Sequence, residues 1–150
     1  MEEKINNFTG LSAVLTGFSI NIIAPSIDPI NIKQEYFLKF SSEISNCDEI
    51  LAKYAALKAQ NKTDEEIGTA MLAIPSFEDP CRMLIFLWYS GAWPTIDNGR
   101  INSVLLSSKS YTSGLVWQVM QSHPMGDSNY RYGYWANKPA DLQDFTGNKN

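Results

Sequence analysis

Apolar residues along this chain recur mostly at three- and four-residue spacing, which predicts a succession of amphipathic helices rather than strands. In the first segment, Val14 and Leu15 belong to a short helix that Thr9 would cap and Gly17 would end. A loop is expected up to Pro25. Asp28 with Pro29 reads as a cap and first-turn pair for a second helix, on which Tyr36, Phe37, Phe40 and Ile44 share a face as far as about Ser45. A third helix starts at Asp48, with Ile50, Leu51, Tyr54, Ala55 and Leu57 as its apolar stripe and Asn61 as its stop.

The run T-D-E-E at positions 63–66 is a capping box, followed by Ile67, Ala70 and Met71 and ended by Pro75. Asp79 with Pro80 repeats the cap signal ahead of CRMLIFLWYSG, apolar almost all round and closed by Gly91, which makes it the expected central helix. Pro94 and the run Asp97, Asn98, Gly99 mark a turn, and positions 101–106 fit either an extended segment or the lead-in to a helix. From Lys109, the residues Tyr111, Leu115, Val116, Trp117 and Val119 keep helical spacing through Gly114, giving a last helix that ends near Gln121.

Beyond that point the pattern changes. Prolines, glycines and asparagines break up residues 122–150, and no helical period persists. Tyr130, Tyr132 and Tyr134 fall at every second position, so an extended backbone would put their rings on one face, with Trp135 beside them. The expectation is a mainly α chain: a compact domain of five to six helices over residues 1–121, and an extended, aromatic-rich C-terminal arm over 122–150 that packs on the domain or on a partner.

Composition narrows the function classes. With 150 residues and 12% aromatics the chain can build a core without metal or disulfides. A net charge of -4 with no basic cluster argues against nucleic acid as partner. The longest strongly apolar run, residues 83–88, is far too short to span a bilayer, and MEEKINNFTG shows neither a Sec nor a twin-arginine signal. Cys47 and Cys81 are too far apart for a local metal pair and read as two small, half-buried hydrophobes rather than a bridge.

Candidate chemistry is sparse. His123 is the sole histidine, so no site needing two imidazoles can form, and neither cysteine has a local nucleophile signature. No Gly-rich phosphate cradle, C-x-x-C-H or G-x-S-x-G motif occurs, so no catalytic, cofactor-binding or metal residue is assigned. The acidic pairs Glu2/Glu3, Asp48/Glu49 and Glu65/Glu66 fall in the free terminus or at or near helix starts, where negative charge suits the helix dipole. What remains is aromatic: Trp93, Tyr130, Tyr132, Tyr134 and Trp135, together with Pro139, form the candidate partner interface, since Tyr and Trp combine large apolar area with a polar atom. An alternative is a stand-alone helical carbohydrate-binding protein or enzyme with a pocket near Trp93, Tyr111 and His123.

The segments LSAVLTGF, LWYSG (87–91), SYTSGLVWQVMQSHPMG (110–126) and YGYWANKP (132–139) resemble the small subunit of membrane-bound FAD-dependent sorbitol dehydrogenase. That family is similar to the small subunits of fructose, gluconate and glucose dehydrogenases. The likeness spans nearly the whole chain in the same order, and W-Y-S-G and Y-W-x-x-K-P are its most specific elements. It implies a helical accessory subunit, not catalytic by itself, that supports maturation, stability or export of a large FAD-containing subunit of the glucose-methanol-choline oxidoreductase type. A multihaem cytochrome c often accompanies the pair. The implied cofactors, FAD with an iron-sulfur cluster or haem c in some complexes, belong to those partners. The implied location is the periplasmic side of the bacterial inner membrane, held there through partners, with a cytoplasmic one as the alternative.

Overall fold

In the computed structural model of the chain, residues 1–97, 100–124, 141–144 and 146 are described. The fold is mainly helical, as the spacing predicts. Five helices of nine residues or more form its body: α1 (Glu2–Thr16), α3 (Ile32–Glu43), α4 (Cys47–Ala59), α5 (Asp64–Leu72) and α6 (Pro75–Ser90). Three shorter ones join them, α2 (Ile20–Ile23), α7 (Ser108–Thr112) and α8 (Val116–Val119). One antiparallel hairpin, β1 (Ala92–Asp97) with β2 (Arg100–Leu105), follows α6 directly.

Helix α6 is central, packing against α1, α3, α5 and β1. Phe77, Cys81, Leu84, Leu87 and Trp88 point into the core, where they meet Phe8 and Leu11 of α1, Tyr36, Phe37 and Phe40 of α3, and Ile67 and Met71 of α5. Burial of these aliphatic and aromatic side chains, each contributing roughly 1.5–3 kcal/mol, outweighs the weak intrinsic helicity of short segments. Trp88 is the largest fully buried side chain, with the Tyr36 ring edge-on at 4.7 Å. The hydroxyls of Ser12 and Thr16, buried on α1, each donate at 2.7 Å to the carbonyl four residues earlier.

The helix boundaries correct the sequence expectations in several places. Thr9 is no cap: α1 already starts at Glu2, because Ile5 and Phe8 continue the core stripe of Leu11 and Leu15, and the Thr9 hydroxyl donates to the Asn6 carbonyl at 3.0 Å. Gly17 does end the helix, in the left-handed region. The stretch expected as a loop to Pro25 contains α2. Asp28 does not cap α3 directly; its Oδ1 accepts the Asn31 N–H at 2.6 Å, forming a turn ahead of a helix that begins at Ile32.

Pro75 opens α6 instead of merely ending α5, which stops at Leu72, so Asp79 and Pro80 lie inside α6. Proline at the first helical position forfeits only an N–H that would have no intrahelical partner. The capping box at Thr63 and Glu66 forms as expected, with Glu66 N–H to Thr63 Oγ1 at 3.2 Å and Thr63 N–H to Glu66 Oε2 at 2.8 Å.

The single helix expected from Lys109 to Gln121 is two helices broken at Gly114. The Leu115 N–H donates to the Trp88 carbonyl at 3.0 Å, one of the last carbonyls of α6, which have no intrahelical donor. That bond brings residue 114 against the end of α6, where a Cβ would stand 2.9 Å from the Tyr89 carbonyl oxygen. Positions 101–105, open between two readings, are strand β2.

Candidate partner-facing surface

The segments LWYSG and SYTSGLVWQ come together at one junction, where α6, the hairpin, α7 and α8 meet. Gly91 turns the chain out of α6 with φ +71°. A Cβ there would lie 2.1 Å from the Ser110 carbonyl oxygen, so only glycine allows the approach. The same Ser110 oxygen accepts the Tyr36 hydroxyl at 3.3 Å, and Gly91 accepts the Leu106 N–H at 3.2 Å, closing the hairpin's base. Ser107 and Ser110 cap α7 reciprocally, with Ser110 N–H to Ser107 Oγ at 3.0 Å and Ser107 N–H to Ser110 Oγ at 2.9 Å. Tyr89 ties the junction to α1 by donating to the Thr16 carbonyl at 3.0 Å.

Trp93, expected at a partner interface, is 3% exposed. Its ring stands edge-on to Phe40 at 6.5 Å, with the Lys39 ammonium 5.6 Å from its centroid. Trp93 is thus the plug that docks β1 onto α3. A ring so covered offers no face for stacking on a sugar. Trp117 is half-buried, edge-on to Tyr111 at 5.3 Å, and its Nε1–H donates to the Tyr111 carbonyl at 2.7 Å. His123 Nδ1 lies 3.0 Å from the Pro124 carbonyl oxygen, a local loop contact. Tyr130, Tyr132, Tyr134, Trp135 and Pro139 lie outside the described residues. At the end of the expected arm, a 3-10 turn at Leu142–Asp144 leads to Thr146, which bridges antiparallel to Phe18.

Both cysteines are buried free thiols. Burial pushes the Cys81 thiol up to about 11, and burial with the neighbouring Asp48 carboxylate raises that of Cys47 against the opposing pull of Lys4. Neither is a thiolate near neutral pH, which disfavours nucleophilic use. Burial also raises the Tyr36 phenol. Among the described residues no three His, Cys, Asp or Glu side chains gather as a metal site, and no helix is long and apolar enough to cross a membrane.

The surface feature that sequence reasoning missed is strand β2. Trp93 pairs opposite Val104 and Ala92 opposite Leu105, yet β1 residues Ala92 and Trp93 are buried while Asn102, Ser103, Val104 and Leu105 are all exposed. Val104 is 61% and Leu105 47% exposed. Among the described residues the sheet has two strands; β1 anchors the hairpin through buried Ala92 and Trp93, and β2 lies beside it with its side chains exposed from Asn102 to Leu105. Pro94, which has no N–H to donate, sits within β1 as edge positions permit. The apolar pair Val104-Leu105 beside polar Asn102-Ser103 was a weak signal, because two residues cannot establish which face is covered.

No family model matches the chain, and no match was found among curated proteins or solved structures.

Proposed function

We propose that this chain is a non-catalytic small accessory subunit of a flavin-dependent sugar or polyol dehydrogenase complex, binding the large FAD-containing subunit and supporting its maturation, stability or export. The observation that carries the reading is β2, whose apolar Val104 and Leu105 are exposed, a surface suited to protein partners. The segments that carry the resemblance fit a scaffold role as well. Leu87 to Gly91 and Ser110 to Gln118 are engaged in packing and backbone bonds at the junction below the hairpin. The aromatic arm, with Tyr134 and Trp135, is the second expected contact. In this reading flavin, iron-sulfur cluster and haem c reside in the partners, and a periplasmic location follows from them.

The test is co-expression of the tagged chain with the flavoprotein encoded beside it, followed by purification and assay of dye-linked polyol or sugar oxidation. A yellow, active complex that needs this chain is the expected outcome. Val104→Asp, at an exposed position, and separately Tyr134→Ala with Trp135→Ala should lower the yield of complex while the isolated chain keeps its helical circular dichroism. Absence of any complex, or sugar turnover by the chain alone, would overturn the proposal.

A further inference from the structure

We draw no further inference here: the strongest candidate, the exposed isoleucines Ile20, Ile27 and Ile30 in and around the connection between α2 and α3, is an apolar surface patch for which nothing in the structure shows what covers it.

Discussion

The side-chain amide of Asn46 donates to the Ser76 carbonyl at 3.0 Å, and this is the carbonyl whose helical donor would be residue 80, a proline. Pro80 lies in the second turn of α6, where its ring removes one backbone hydrogen bond. An amide from the turn before α4 supplies the missing donor across 30 positions of sequence. Asn46→Ala should therefore destabilise the protein by about 1 kcal/mol, the typical net contribution of one hydrogen bond. In a Pro80→Ala background, where residue 80 again carries an N–H, the same substitution should cost less than half as much. Urea unfolding of the four proteins in a double-mutant cycle checks this; equal costs in both backgrounds would refute the relationship.

Two left-handed glycines separate conformational strain from steric contact. Gly17 has φ +75° and nothing within 4 Å of an added Cβ, whereas Gly91 has φ +71° and the Ser110 carbonyl oxygen at 2.1 Å. Gly17→Ala should cost about 1 kcal/mol, the strain of the left-handed conformation alone. Gly91→Ala should cost at least about 2 kcal/mol, because the backbone of α7 must also move. Denaturant midpoints of the two variants compare them directly.

Leu87 is fully buried on α6. Leu87→Ala should lower stability by roughly 2–5 kcal/mol, through lost burial and the cavity left behind. The exposed Leu38 on α3 serves as control, since substitution at surface positions usually stays within about 0.5 kcal/mol. Thermal or urea denaturation distinguishes them.

The buried thiols give the stability a defined alkaline limit. Cys81 keeps its proton in the folded state up to about 11, while an unfolded thiol ionises near about 8.5. Between those values the unfolded chain has lost a proton that the native chain holds, so stability falls as pH rises. The contribution is fully present below the unfolded value. Cys47, also raised by burial, adds to the fall from the same unfolded thiol value, and Tyr36, Tyr54 and Tyr89 add to it from the unfolded phenol value of about 10. Urea midpoints from pH 8 to 11 should decline, and Cys81→Ala should flatten the slope. Both thiols should react slowly with a disulfide reagent in the native protein and rapidly in urea. On the acid side, the Glu66 carboxyl is held low by hydrogen bonds from Thr63, so its contribution is present at neutral pH and lost as pH falls through its folded value.

The sequence by itself determined the helical class, the core stripes and the local stops and starts. Phe37, Phe40, Ile50, Leu51, Ile67 and Leu87 were legible because helical periodicity depends only on neighbours three and four positions away. The capping box at Thr63 and the Gly17 and Gly91 stops are equally local, since each satisfies backbone groups within a few residues. Only the tertiary structure decided that Pro80 sits inside a helix, because its freed carbonyl is satisfied by an amide 30 residues away. It likewise split the last helix at Gly114, where the unpaired end of α6 supplies the Trp88 carbonyl to Leu115. And it decided that Trp93 is core while Val104, its neighbour across the hairpin, is exposed. That choice depends on which strand lies against Phe40 and Lys39, a long-range contact that no local spacing encodes.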